Sequence, residues 1–281
     1  MEAGLQEKPL DSAGGEAGRC GLAPESAWEN MLLEGERVDT LQYQGLRIIQ
    51  KEKGFRFGTD SVLLADFASP KPGDRVVDMG TGTGILPILM ASRQEKSSYV
   101  ALEIQEDMAE MAARSIKLNG MEERIEVRAC DFREAPGMLG YGKFTLAVCN
   151  PPYGKAGGAM VNVRDSERIA RHEGECTVED VAKTAAALLK VGGRLAVVYP
   201  APRAFEMMTA LREFHMEPKR IRTIHSQADR EPKLVLMDAV KGGGSMLHWL
   251  PPLVLNNDDG TPSDEWKRIY RVAEARERSD K

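Results

Sequence analysis

The chain of 281 residues lacks long hydrophobic runs, is poor in cysteine and has no excess of basic side chains. No segment approaches the roughly 18 consecutive apolar residues that a membrane-spanning helix needs, so we expect no association with a membrane. The first residues include acids and no apolar signal core, which predicts a cytoplasmic location. The composition is otherwise that of an ordinary globular enzyme.

The scarcity of cysteine limits the covalent and metal chemistry of the chain. Four cysteines are too few for a disulfide framework in a chain of this size. No two of them have the spacing of paired metal ligands: Cys20, Cys130, Cys149 and Cys176. We therefore expect reduced, mostly buried thiols and no metal site.

The negative charge is concentrated at the start of the chain. Residues 1–40 carry nine acids and three bases, a charge of −6, so the remainder carries +1 of the total of −5. Phosphate binding depends on Lys and Arg, so this distribution argues against tight non-specific binding of DNA. A near-neutral body is still compatible with a local basic patch.

Changes in composition divide the chain into three parts. Residues 1–38 are rich in Gly, Ala, Glu and Ser and cannot offset their ordering entropy, which predicts a flexible acidic tail. Residues 39–255 form the main domain, of which 39–70 are a hairpin around Gly45 and a short helix, Ser61–Phe67. Residues 256–281 are expected to form a charged C-terminal tail, helical from Ser263 to Arg278.

Beyond Pro72, strands and helices alternate strictly. Five strands are predicted at Arg75–Met79, Tyr99–Glu103, Arg124–Arg128, Phe144–Cys149 and Arg194–Tyr199. Four helices are predicted at Ile85–Arg93, Asp107–Leu118, Thr177–Lys190 and Arg203–Phe214. Two more strands, Lys219–His225 and Leu234–Val240, follow with no helix between them. This order predicts an α/β fold with a mostly parallel seven-stranded sheet, an antiparallel terminal strand and helices on both faces.

A glycine-rich loop joins the first of these strands to its helix, where open α/β sheets bind ligands. It begins with Asp78 and contains Gly80, Gly82 and Gly84. In the dinucleotide fingerprint the third glycine comes one residue later. The observed spacing suits the carboxylate and ammonium groups of a methionine moiety, with Asp78 as the acid at that end. The loop therefore predicts binding of S-adenosylmethionine.

Acidic residues also follow the next two strands. Glu103 ends the second strand, where its carboxylate can accept hydrogen bonds from both ribose hydroxyls of the cofactor. Asp131 and Phe132 follow the third strand and offer a carboxylate to the adenine amino group and a ring to stack on the base. An Asp after a strand is often only a turn residue. The series Asp78, Glu103, Asp131 and Asn150 nevertheless ends four successive strands at one predicted sheet edge.

The fourth strand ends in Asn150, Pro151, Pro152 and Tyr153. The prolines fix the backbone, so the Asn150 side chain and the Pro151 carbonyl can be held in one geometry. Two such acceptors would bind both N–H bonds of a planar amine and direct its lone pair toward the cofactor's methyl group. Tyr153 would stack on the flat target. A simple Pro-Pro turn is the alternative, and the preceding Asn and upstream glycine loop favour catalysis.

These motifs resemble the Rossmann-fold amino-methyltransferases, which act on adenine N6, guanine N2 or glutamine amides. More narrowly, Phe55–Ala65, Asn150–Tyr153, Ile169–Glu173 and the final strand pair resemble the tRNA1(Val) adenine-37 N6-methyltransferase family, over roughly Leu41 to Leu255. The resemblance implies a Rossmann-like fold, S-adenosylmethionine as cofactor, tRNA as substrate, no metal and no stable protein partner. It also implies that Thr59 lies over the cofactor pocket.

Two other functions remain open. A glutamine-amide N-methyltransferase acting on a translation factor would use the same two acceptors, but such enzymes usually carry a helical N-terminal domain. Here the segment before Pro72 is short and partly strand-like. A non-catalytic RNA-binding scaffold on the cofactor fold would not need an intact Asn150–Tyr153 motif. A DNA adenine methyltransferase is disfavoured by the charge and by the lack of a target-recognition domain.

Basic side chains in two regions are candidate RNA contacts, although acids lie between them in both. The first region is the insert after the catalytic motif, with Lys155, Arg164, Arg168 and Arg171. The second is the final strand pair, with Lys219, Arg220, Arg222, Arg230 and Lys233. A solvated face of ion pairs is the competing interpretation for each.

Overall fold

The computed structural model describes residues 31–41, 45–53, 58–151 and 176–270. A hairpin of β1 (Glu36–Thr40) and β2 (Arg47–Lys51) precedes helix α1 (Thr59–Ala68). The expected boundary after residue 38 thus falls inside β1. The hairpin extends to Glu36 because Glu36 pairs with Lys51 in the ladder and with Arg114 through its carboxylate.

Seven long strands form the main sheet: β3 (Arg75–Met79), β4 (Ser98–Glu103), β5 (Ile125–Ala129), β6 (Phe144–Cys149), β7 (Leu189–Pro200), β8 (Met216–His225) and β9 (Leu234–Lys241). Their order is β8-β9-β7-β6-β3-β4-β5. Among these seven strands, β9 alone runs opposite to the other six, because it pairs antiparallel with both β7 and β8. The predicted mostly parallel sheet is confirmed. Two short strands that were not predicted, β10 (His248–Trp249) and β11 (Leu253–Val254), pair with β8.

Helices cover both faces of the sheet, as predicted. Besides α1 they are α2 (Ile85–Arg93), α3 (Glu106–Leu118), α4 (Ala135–Leu139), α5 (Val178–Leu188), α6 (Ala204–Glu213) and α7 (Asp264–Tyr270). Side chains alternate across each strand, so Val76 packs into the layer with α1 and α2, and Val77 into the layer with α5 and α6. Within the described ranges, no helix combines the length and apolarity needed to cross a bilayer.

Several element bounds differ from the sequence prediction by one to five residues, and the largest difference in the sheet is the start of β7, predicted at Arg194 and observed at Leu189. The helix expected to run to Lys190 ends at Leu188, because Leu189 and Lys190 already belong to β7, where Leu189 pairs with Phe144. The start of this helix agrees with the prediction: Thr177 and Asp180 form a reciprocal capping box with both hydrogen bonds at 3.1 Å.

The predicted C-terminal tail is also partly folded onto the domain. Helix α7 places Ile269 in the core, where it is 2 % exposed. Its Glu265 carboxylate accepts a hydrogen bond of 2.8 Å from Arg222 on β8. Residues 271–281 lie outside the described ranges, as do residues 1–30 of the predicted N-terminal tail.

Candidate active site

The polar residues that end the parallel strands lie at one edge of the sheet. Parallel register places Asp78 beside Ala101 of β4 and Val148 of β6. The Gly80 amide donates to the Leu102 carbonyl (2.9 Å), and the Cys130 amide donates to the Glu103 carbonyl (2.8 Å). The structure therefore brings together the predicted series Asp78, Glu103, Asp131 and Asn150. The chemical role assigned to each remains a prediction.

The three glycines of the loop serve two different purposes. All have positive φ, of +83° at Gly80, +58° at Gly82 and +85° at Gly84, which L side chains adopt only with strain. A Cβ at Gly80 or Gly82 would meet no heavy atom within 4 Å, so the space there is open to a ligand. A Cβ at Gly84 would lie 3.3 Å from the Cβ of Ala112, so this glycine lets α2 approach α3.

Glu103 is the acid that fixes the loop. It is 6 % exposed, and its Oε2 accepts a hydrogen bond from the Gly82 amide at 2.8 Å. Its Oε1 accepts from the Gln105 amide at 3.1 Å. Each carboxylate oxygen can accept more than one hydrogen bond, so these contacts are compatible with the predicted ribose contacts.

Asp78 is a buried carboxylate with no hydrogen-bond partner in the part of the chain that the structure describes. It is 1 % exposed, and neither of its oxygens forms a hydrogen bond with any described residue. Burial raises its pKa to about 7, with the nearby Thr81 hydroxyl opposing the rise and the Glu103 carboxylate adding to it. A buried polar group without a partner is costly, and native structures contain few. The ammonium group of a methionine moiety would supply the missing partner.

Two threonines of the loop were not predicted as site residues from the sequence. Thr81 and Thr83 are 4 % and 2 % exposed, and their hydroxyl oxygens have no hydrogen-bond partner among the described residues. The available signal was their placement between the three glycines, where a small hydroxyl can face a ligand. Together with Asp78 they leave four buried polar atoms beside the glycine loop, and this arrangement fits a polar cofactor.

Asp131 already has a partner on its own turn. Its carboxylate binds the Arg133 guanidinium, with Oδ2 to Nη2 at 2.6 Å, and caps the short 3-10 turn through the Arg133 amide at 2.9 Å. Burial would raise its pKa, but the hydrogen bonds from Arg133 lower it below the usual value. Asp131 therefore stays ionised and able to accept a further hydrogen bond. Phe132 is half-buried and packs against the core layer of α5 and α6.

The described part of the predicted catalytic motif, Asn150 and Pro151, is anchored to the sheet and to α1. The Cys149 thiol donates to the Met79 carbonyl at 3.1 Å, which ties β6 to β3 directly before the motif. Asn150 is half-buried, and its Nδ2 donates to the Ser61 hydroxyl at 3.3 Å. Pro151 is buried. Pro152 and Tyr153 lie outside the described residues.

Helix α1 supplies the side of the site next to Asn150. Thr59, the predicted cofactor contact, is exposed in its first turn. Ser61 lies two residues later, and its contact with Asn150 was not predicted. The signal available for it was its place in the Phe55–Ala65 segment that carries the family resemblance. Burial raises the pKa of Asp60 between them.

Four of the five basic side chains proposed on the final strand pair have internal partners, and one of these is Arg230, whose guanidinium lies 3.7 Å from the Asp229 carboxylate. Arg220 forms an ion pair with the buried Asp238, Arg222 binds Glu265, and the Lys219 ammonium donates to the Gly244 carbonyl. Arg230 and Lys233 lie in the turn between β8 and β9, at the carboxyl edge of the sheet. The insert with the other candidate bases lies outside the described ranges.

The strand order, the glycine loop and the Asn-Pro end of β6 together define a methyltransferase of the Rossmann-like class. Comparison with known proteins agrees, because residues 52–221 match the family model of the methyltransferase small domain. A Bacteroides thetaiotaomicron protein named tRNA1(Val) (adenine(37)-N6)-methyltransferase is 32 % identical over 200 residues, covering 70 % of this chain and 81 % of the relative. A protein of the same name from Tolumonas auensis is 28 % identical, covering 69 % and 80 %.

The chain therefore belongs to the methyltransferase small domain family and, within it, to the tRNA1(Val) (adenine(37)-N6)-methyltransferase family. Solved structures support the fold alone. A predicted O-methyltransferase, Atu636 from Agrobacterium tumefaciens, superimposes with a TM-score of 0.63 at 24 % identity, covering 76 % of this chain and 96 % of that one. Pyrococcus horikoshii TYW2 in complex with MeSAdo gives 0.51 at 18 % identity, covering 75 % and 73 %.

Proposed function

We propose that this methyltransferase binds S-adenosylmethionine at the glycine loop and transfers its methyl group to N6 of an adenine in tRNA. The observation that carries the proposal is the common sheet edge shared by the unpartnered Asp78 carboxylate and the anchored Asn150 amide. The relatives' names support tRNA1(Val) as the substrate and adenine 37 as the target.

The cofactor would be held by groups that follow three neighbouring strands. Asp78 would bind the ammonium group, Glu103 the ribose hydroxyls, and Asp131 the adenine amino group, with Phe132 stacking on the base. Gly80 and Gly82 would give the close backbone approach to the cofactor, Gly84 would hold the loop against α3, and Thr59 would lie over the pocket. When bound, the cofactor supplies a methyl group on a positively charged sulfur, which is ready for transfer to a nitrogen lone pair.

The residues of this chain prepare the amine. The lone pair of an exocyclic adenine nitrogen is delocalised into the ring, which makes it a poor nucleophile. The Asn150 Oδ1 and the Pro151 carbonyl would accept hydrogen bonds from its two N–H groups. These contacts favour a more tetrahedral nitrogen, whose lone pair then points away from the ring. No strong base is needed before transfer, because the nitrogen becomes acidic only once the methyl group has been added. We assign Pro152 to rigidity of the motif and Tyr153 to stacking.

A tRNA loop is a suitable substrate because its bases are partly unstacked. Moving one into the site costs a few kcal/mol at most, less than flipping a base out of a duplex. Arg230 and Lys233 are placed at the edge of the sheet where such a loop would approach.

The decisive experiment is methyl transfer from labelled S-adenosylmethionine to unmodified total tRNA, with a translation release factor as a parallel acceptor. We expect the label in N6-methyladenosine of the tRNA. Label in the release factor would replace this proposal by glutamine-amide methylation. Label in neither, with cofactor binding intact, would leave the RNA-binding scaffold.

The matched variants are Asn150→Ala and Asn257→Ala. The first should lose roughly a hundredfold or more in turnover, as expected on removal of a preorganised acceptor, with binding of S-adenosylhomocysteine largely retained. The second removes an exposed amide in a distant turn and should keep wild-type turnover.

A further inference from the structure

We propose that Ser61 is a positioning residue that orients the Asn150 amide for methyl transfer. Its hydroxyl oxygen accepts the hydrogen bond from Asn150 Nδ2 and so turns Oδ1 toward the amine. The inference rests on one part of the proposed function, transfer to a planar amine held by Asn150, and not on the identity of the acceptor.

The contact is long-range in sequence and is buried on the Ser61 side. Ser61 and Asn150 are 89 residues apart and their Oγ and Nδ2 atoms are 3.3 Å apart. Ser61 is 4 % exposed and Asn150 is half-buried, so water has little access to the Ser61 hydroxyl. A hydrogen bond in such surroundings is electrostatically stronger than one in water, and its loss leaves a polar group unsatisfied.

The orientation of the amide decides whether Asn150 can act. An Asn side chain has an acceptor, Oδ1, on one branch and a donor, Nδ2, on the other. Rotation of the amide by half a turn would point its NH2 group at an amine that itself presents N–H bonds. The two donors would repel, and the nitrogen would not be activated. A hydroxyl that holds Nδ2 on the far side favours the productive orientation.

Helix α1 is a fixed platform for this hydroxyl, because its other end is fastened by arginines. The Arg194 guanidinium donates to the carbonyls of Ala68 and Ser69. The Arg220 guanidinium lies 4.7 Å from the Phe67 ring centroid, and Arg93 pairs with Asp66 at 3.4 Å. Cations at a helix C-terminus interact favourably with its dipole. A side chain on an anchored helix can orient a catalytic group more precisely than one on a loop.

The test begins with the turnover of Ser61→Ala. Alanine is the best helix former, so the variant should fold. We expect kcat to fall roughly 3- to 12-fold, the range that corresponds to one ordinary hydrogen bond. KM for the acceptor and Kd for S-adenosylhomocysteine should stay within about twofold of wild type, because a uniform loss of binding would instead appear in those constants. Ser61→Thr, which keeps the hydroxyl, should recover most of the loss.

Ser115→Ala is the matched control. Ser115 is also a buried helical serine, fully inaccessible, and its hydroxyl accepts a hydrogen bond of 3.0 Å from the Ile49 amide in the hairpin. Its replacement should lower the melting temperature without lowering kcat. A similar loss of kcat in Ser115→Ala would show that the Ser61 effect is a general loss of packing and would overturn the proposal.

A double-mutant cycle separates positioning from independent effects. In an Asn150→Ala background, Ser61→Ala should cause no further loss of residual activity. A full additional loss, wild-type kcat in the single variant, or a loss confined to cofactor binding would each overturn the proposal. All variants are assayed with whichever acceptor the wild type methylates, unmodified tRNA or the release factor. Methylation of the release factor alone would refute the adenine assignment but still test Ser61, and activity toward neither would refute both.

Discussion

Replacement of Asp78 by Asn should change how both folding and cofactor binding depend on pH. The substitution keeps the shape of the side chain and removes its titration. Asp78 is suited to this test because it is almost fully buried and its two oxygens have no partner among the described residues. Among the described residues the nearby Thr81 hydroxyl alone favours the ionised form, which therefore stays costly until a cation binds.

The expected effect on stability follows from the shifted pKa. Burial raises the pKa of Asp78 from 3.8 to about 7, so between these values the folded protein keeps a proton that the unfolded chain releases. The stability of the cofactor-free protein should therefore fall as pH rises from about 4 to 7, and then level off. At 1.36 kcal/mol per pH unit the total loss is about 4 kcal/mol. Asp78→Asn should lack this loss. Its free energy of unfolding relative to wild type should therefore rise by that amount as pH increases from about 4 to 7.

Cofactor binding should show the opposite trend. An ammonium group beside Asp78 favours the carboxylate, so binding below about pH 7 requires release of a proton. Wild-type affinity for S-adenosylhomocysteine should increase toward pH 7, at most roughly tenfold per pH unit, and then become constant. The amide of the variant cannot titrate, so its affinity should be weaker near neutrality and nearly independent of pH.

Calorimetric titration with S-adenosylhomocysteine from about pH 5.5 to 8, in buffers of different ionisation enthalpy, measures both affinity and proton release. Urea unfolding over the same range measures stability. Asp74→Asn is the control, because Asp74 lies at the opposite end of β3 and its carboxylate has partners in the Lys71 amide and the Thr145 hydroxyl. Wild-type affinity without pH dependence, or wild-type affinity in Asp78→Asn near pH 8, would refute the assigned role.

Other substitutions test neighbouring parts of the loop. Glu103→Gln should weaken S-adenosylhomocysteine binding roughly tenfold or more, since a charge-assisted hydrogen bond contributes about 1.5–3 kcal/mol. Calorimetry measures this affinity, and an unchanged value would show that Glu103 does not contact the cofactor. Gly84→Ala should lower the free energy of unfolding by about 1–3 kcal/mol. The φ of +85° at this position is strained for an L residue, and the new Cβ would lie 3.3 Å from the Cβ of Ala112. Urea unfolding checks this against Gly244→Ala, where the added Cβ meets nothing within 4 Å.

Local signals in the sequence were sufficient for the parallel part of the fold. β3, α2 and β6 have the predicted bounds, because Pro72, the glycine loop and Pro151 mark their ends and each segment has one consistent hydrophobic period. The grouping of Asp78, Glu103, Asp131 and Asn150 also followed from sequence order, since the carboxyl ends of parallel strands meet at one edge.

Where the prediction fell short, long-range pairing decided the outcome. Residues at the end of the predicted helix joined β7 instead because Leu189 pairs with Phe144, which is distant in sequence. The C-terminal segment was expected to be a tail, but Arg222 binds Glu265 and Ile269 is buried. Composition alone does not reveal such partners.

The sequence by itself determined the class of fold, the glycine loop and the edge at which the chemistry is placed, because these depend on local pattern and chain order. The tertiary structure alone decided which polar groups have partners. It left Asp78 without a partner among the described residues, paired Arg220 with Asp238, and placed Ser61 against Asn150. These contacts depend on how strands and helices pack across tens of residues, and a charge or hydroxyl carries no local sign of the group it will face.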